Sequence, residues 1–368
     1  MEVVLWRCGK YGKFKTKGDE DKEYTRQINI INSKKIGIEY IQKINSQLVQ
    51  YNSIIEKLKK KENQYNRIKL KTHLSKENLR KITREFFSTV DNDLYNQVDD
   101  IFTNGEGVEP YTQDIVLTFI DDSKQGIAHS VKQESQYNDS ITDEMIESLK
   151  DEDPEMYSMA IRMFRPCILT HITLERLGNI LDLHNLSHEL THSFIQRKQK
   201  ESTLFDESPS FCIETLIDDF LLSLDDEKCK EYGFKKEDLK EDIILKNIVR
   251  FFSVGNQVDR LNTEPKNSQE LAENQSLLEY VVAQIYQSQF LKLTPEQRKE
   301  KIIDLMDGVS KNEFDRINEI LGMDWNDKDK WKEYVDKPIM DVYRNFKQYE
   351  KILEKSKKTS NNKEQDIR

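Results

Sequence analysis

Cysteine is scarce and scattered in this sequence. The four cysteines, at 8, 167, 212 and 229, form no C-x-x-C pair. Neither a disulfide framework nor a cysteine-rich metal site is therefore expected, and Cys167 and Cys212 read as small buried hydrophobes. Long apolar runs are missing too: nothing approaches the roughly 20 apolar residues that a membrane span requires. The opening MEVVLWRCGKYGK has no apolar core of the signal-peptide kind, so the expectation is a cytoplasmic chain with no membrane partner. Clustered basic charge is equally thin. The net charge of −10 and the pI near 5.4 argue against a general role on nucleic acid, which needs grouped Lys and Arg to displace counterions. Lys57, Lys59, Lys60 and Lys61 read as a solvated helix face. Finally, 12 glycines and 7 prolines are few for 368 residues, and abundant Lys, Glu, Ile and Leu point to a mainly helical protein.

What is present follows helical spacing for most of its length. From about 23 to 66, Ile28, Ile31, Ile38, Ile41, Ile44, Leu48, Tyr51, Ile55 and Leu58 recur at mostly three- and four-residue steps, as in a long amphipathic helix or helical hairpin. Ser75 precedes a second helix running toward Val90 and suits its N-cap. After Gly105 and Gly107 the texture changes: 114 to 120 reads as a strand, 121 to 126 as a turn, and 127 to 131 as an antiparallel return. Residues 133 to 153 are polar enough for a surface excursion, and 166 to 170 suits another short strand. Helices are expected at about 177–198, 207–225, 236–253, 268–292, 296–306, 311–320 and 328–354. The expected organisation is a helical region over 1–105, a mainly α catalytic domain with a small antiparallel sheet over 106–354, and a disordered tail over 355–368.

One motif carries chemistry. His188-Glu189-Leu190-Thr191-His192 is H-E-x-x-H inside an apolar helical pattern. Residues four apart share a helix face, so His188 and His192 can aim two imidazoles at one ion, as zinc accepts. Glu189 then reaches the water that such an ion activates, as a general base. In a chain of this composition roughly 0.01 such matches arise by chance, which makes two unrelated surface histidines a poor account. A catalytic zinc needs a third protein ligand and an open position. Downstream, in Glu207-Ser208-Pro209-Ser210-Phe211-Cys212-Ile213-Glu214, Pro209 suits the first turn of a helix beginning near Glu207. Either Glu207 or Glu214 can supply the carboxylate. His184, one turn before His188, would as a fourth ligand make a closed structural site; a packed residue is expected instead.

This stretch resembles the thimet oligopeptidase and oligoendopeptidase F family of zinc metallopeptidases. There H-E-x-G-H is followed by a helix carrying E-A-P-S-x-x-x-E or E-x-A-S-x-x-x-E, matched here at Glu207, Pro209, Ser210 and Glu214. Upstream, Pro166-Cys167-Ile168-Leu169, Gly178 and the run from Asp182 to Glu189 extend the likeness, which covers about 166–215. The resemblance implies one zinc ion held by His188, His192 and Glu207, with Glu214 and Asp182 as carboxylates behind the ligands. It also implies peptide substrates and an edge strand that pairs with them.

Three departures bear on function. Thr191 stands where the family has glycine, the link from His192 to Glu207 is short, and no histidine follows His192. The family's late oxyanion donors include a histidine; here Tyr280, with Tyr286 as runner-up, is the expected phenol donor. The leading expectation is an oligopeptidase-like zinc endopeptidase. Its rivals are a zinc-binding scaffold or partner-binding protein with a degenerate site, a metalloprotease for one protein target, and a metal-free interaction protein.

Overall fold

The computed structural model describes residues 70–108, 113–121, 126–134, 141–165, 168–198, 205–261, 268–324 and much of 327–351. The amphipathic stretch at 23–66, the tail at 355–368 and Cys167 lie outside these. The described residues are mainly helical with one small sheet, as composition predicts. They divide into two compact units, the first built from 74–217 and 299–317, the second from 70–73, 218–298 and 318 onward. The segment around Gly105 belongs to the first unit, where it closes onto the sheet.

The first unit opens with α1 (Lys76–Val90) and α2 (Asn92–Asp100). Ser75 Oγ accepts from Asn78 N at 3.0 Å, and Asp91 Oδ1 accepts from Asp93 N and Leu94 N, so each helix begins on a side-chain cap. Leu79, Ile82, Phe86 and Phe87 recur on one face of α1 and are fully buried. A π-helical turn (Ile101–Gly105) then brings the chain to the sheet. Gly105 is needed there, since a Cβ would lie 2.4 Å from the carbonyl oxygen of Ile115. Glu106 forms a parallel bridge with Leu117, and Gly107 N donates to Leu117 O.

The sheet comprises β1 (Ile115–Ile120), β2 (Ala128–Glu134) and β3 (Ile168–Glu175) in the order β1-β3-β2. β3 runs parallel to β1, with Leu117 opposite Ile172, and antiparallel to β2, with Ser130 opposite Ile172. This corrects the expected antiparallel return of β2 onto β1. The connection is too long for a two-residue hairpin turn, and β3, carrying the fully buried Ile172 and Leu174, takes the central position that joins both neighbours. The excursion between β2 and β3 holds three helices, α3 (Asp143–Glu147) and α4 (Leu149–Glu152) within the expected 133–153, and α5 (Pro154–Phe164) beyond it.

After β3 the chain turns at Gly178, whose φ of +72° suits glycine, and enters α6 (Ile180–Gln196). This helix packs against β2, β3 and α1; the Phe194 and Phe87 rings meet edge to face at 6.0 Å. Next comes α7 (Glu207–Ser223), of which 207–217 belong to the first unit.

The second unit includes α8 (Asp226–Glu231), α9 (Lys236–Leu261) and α10 (Ser268–Phe290), with α9 and α10 packed together. α8 is a helix the sequence pattern left unmarked. Inside this unit, Lys246 is buried against Asp218 at 2.9 Å. Burial lowers its ammonium pKa, with the Asp218 charge opposing that shift. α11 (Pro295–Ser310) and α12 (Phe314–Ile320) follow near the expected positions. Among the described residues, no helix is long and apolar enough to cross a membrane.

Candidate metal centre

Fourteen of the 17 residues of α6 are buried, and eight of those fourteen are polar or charged. A helix buried all round is expected to be apolar, so each buried polar group needs an account. Half of them have a local one. Asp182 Oδ1 and Oδ2 accept from Leu177 N and Gly178 N, each at 2.7 Å, and fix the turn into the helix. Burial pushes its carboxyl above the ordinary value, against those two N–H groups and the Arg176 charge. His184 Nδ1 donates to Ile180 O at 2.9 Å. Thr191 Oγ1 donates to Ser187 O, and Ser193 Oγ to Leu190 O. Outside that local accounting stand the Ser187 hydroxyl, buried without a partner, and the side chains of His188, His192 and Glu189.

The two Nε2 atoms lie 3.0 Å apart, one turn from each other. Facing them is Glu207, the first residue of α7, with Oε2 at 3.1 Å from His188 Nε2 and 3.5 Å from His192 Nε2. Oε2 is near enough for an ion pair, yet it is buried without a hydrogen bond of acceptable geometry. Burial would raise the Glu207 carboxyl. The His192 charge and the two imidazole contacts override that and hold it well below the usual carboxylate range.

His188 Nδ1 is 2.8 Å from Glu214 Oε1, which accepts its proton and leaves Nε2 with a lone pair in the neutral ring. Two electron pairs, on His188 Nε2 and Glu207 Oε2, therefore point into one small space beside His192 Nε2. A proton on His192 Nε2 can serve these pairs, and a metal ion held among all three atoms can engage them together. Ligand atoms at about 2.1 Å from a tetrahedral ion lie roughly 3.4 Å from one another; the separations here are 3.0, 3.1 and 3.5 Å. Among the described residues, these three side chains form the group able to hold a metal ion. The donor set, two imidazole nitrogens and one carboxylate oxygen, suits a divalent transition metal.

Glu189 is 7% exposed, and no hydrogen bond or ion pair engages it among the described residues. A carboxylate that follows His188 on the same helix and holds no structural partner is a candidate base.

The structure thus brings His188, His192, Glu207 and Glu214 together. His184 is buried and bonded to Ile180 O, and it is not part of the ligand group. Asp182 is a correction: it holds the 177–178 turn and not a ligand, because six helical residues rotate it well away from the face of His188. Thr191 fits where the family has glycine by bonding back to Ser187 O. Tyr280 is half-buried in the second unit. Tyr286 is fully buried there and donates to Asn318 Oδ1 at 2.6 Å, as a core tyrosine does.

Two contributors had no role assigned from sequence: Ser210, named only as a motif match, and Phe211. Ser210 Oγ donates to the backbone carbonyl of His188 at 3.2 Å, and the Phe211 ring lies 5.8 Å from the His188 ring. The signal for Ser210 was its place three residues after Glu207 and four before Glu214, on their shared helix face. Comparison with protein-family models, curated proteins and solved structures gives no match.

Proposed function

We propose that the protein is a zinc-dependent peptidase, acting on short peptides, with Glu189 as general base. The observation that carries this reading is the convergence of His188 Nε2, His192 Nε2 and Glu207 Oε2 beside a carboxylate with no structural partner. Two imidazoles and one carboxylate are a donor set of zinc hydrolases, and the sequence resemblance to oligopeptidases leads to the same class.

His188, His192 and Glu207 hold the ion, and Glu214 fixes the His188 ring so that Nε2 faces it. Zinc bound there supplies Lewis acidity toward the scissile carbonyl and lowers the pKa of a nearby water toward about 7. Glu189 takes the proton from the attacking water and later gives it to the leaving amine. Tyr280 is proposed as the donor to the developing negative oxygen on its sequence position alone.

The test is metal analysis of the purified protein together with a quenched-peptide library, with and without chelator. One zinc per chain, chelator-sensitive cleavage, and loss of cleavage with retained zinc in Glu189→Ala are the expected results. Full zinc occupancy without cleavage of any peptide would support a zinc-binding scaffold instead, and absence of metal would remove both.

A further inference from the structure

The excursion between β2 and β3 exposes apolar surface that the metal centre does not explain. Seven large hydrophobic side chains are exposed among the described residues, and three are methionines of this excursion: Met145 at 53%, Met156 at 50% and Met163 at 41%. Met156 and Met163 lie two turns apart on one face of α5, with half-buried Met159 between them. Although α5 reads PEMYSMAIRMF, Ala160 is its one buried residue. Tyr157 donates to Glu147 Oε1 at 2.8 Å, and Arg165 bonds Asp143 and the carbonyl of Ile141. α3 and α5 are thereby fastened to each other.

Methionine is flexible and polarizable, and a grouped, exposed set of it suits an apolar partner of variable shape. The rim decides which partner. From 142 to 156 the chain carries seven carboxylates against Lys150 alone, and Asp143, Glu144, Glu147, Asp153 and Glu155 are all exposed. Such a rim repels anionic lipid headgroups, nucleic acid and acidic peptides, and attracts Lys and Arg.

We propose that this surface docks a basic amphipathic helical segment of a partner protein, its apolar residues against Met145, Met156 and Met163 and its basic flanks against the acidic rim. The site is separate from the metal centre, and its occupancy does not require hydrolysis.

The test uses the full chain carrying Glu189→Gln, so that the probe is not cleaved. The probes are dye-labelled 18-residue amphipathic helices, one of Leu and Lys, the other of Leu and Glu, followed by fluorescence anisotropy. The Leu/Lys helix is expected to bind and the Leu/Glu helix not to. Replacing Met145, Met156 and Met163 by Ser should weaken binding at least tenfold, as should Glu144→Lys with Glu155→Lys. The three methionine methyl resonances should shift on titration, a readout that does not depend on the variants. Equal binding of both helices, unchanged affinity in both variants, or preferential binding to vesicles of anionic lipid would overturn the proposal. Peptidase failure with intact docking would overturn only the function proposed above.

Discussion

Glu214 Oε1 accepts from Nδ1 of His188 at 2.8 Å, and that contact lets α7 set the tautomer of a side chain on α6. Glu214 stands seven residues after Glu207, two turns along one helix face, so α7 presents both carboxylates to the histidine helix. Removing the contact frees the ring to rotate and to protonate at the wrong nitrogen. Glu214→Ala is therefore expected to weaken zinc binding by about 10- to 100-fold while leaving the fold intact. Competition with a colorimetric zinc chelator measures this, and unchanged affinity would deny Glu214 its orienting role.

Metal should also stabilise the fold, because the ligands come from two helices that unfolding separates. Free zinc at about 100 times its Kd adds roughly 2.7 kcal/mol. Thermal melts with zinc and with chelator should differ accordingly, and Glu207→Ala should abolish most of that difference. Identical melts would mean that no ion binds preferentially to the folded chain.

The histidine helix and its partner were legible because their signals are local. H-E-x-x-H needs only helical periodicity to place two imidazoles on one face, and Pro209 marks the start of α7. Ser75 announced its helix in the same way, its side chain accepting from the amide three residues on. Strand order is not local: β1 and β2 are adjacent in sequence, yet β3 separates them, and alternation of residue types cannot say which strand is central. Asp182 shows the same limit. A motif match placed it behind the ligands, whereas the nearest unsatisfied donors, the amides of Leu177 and Gly178, claimed it.

The two candidate tyrosines separate by kinetics and stability. Tyr286 is fully buried and bonded to Asn318, so Tyr286→Phe should cost about 1 kcal/mol of stability and leave kcat unchanged. Tyr280→Phe should lower kcat by about 100-fold with little change in KM, as loss of a transition-state donor does. Equal kcat in Tyr280→Phe and wild type would remove Tyr280 from the reaction.

Glu106 couples α1 to the sheet edge and gives the first unit a dependence on acid. Its Oε2 accepts from Arg80 Nε at 2.6 Å, and Lys76 Nζ lies 2.9 Å from Oε1, which Arg80 also contacts. Burial raises the carboxyl, but Arg80 and Lys76 outweigh it, and the folded pKa falls below the ordinary 4.5. Because the folded value lies below the unfolded one, the stabilisation is complete above about pH 4.5 and is lost as pH falls through the folded value. Glu106→Gln should thus destabilise the protein by about 1–2 kcal/mol at neutral pH, a partly exposed pair being worth less than a fully buried one. The deficit should shrink as the wild-type carboxylate protonates. Urea unfolding of both proteins between about pH 7 and pH 3 reads this directly. A deficit that stays constant across that range would show that packing, and not the charge on Glu106, holds α1 to the sheet.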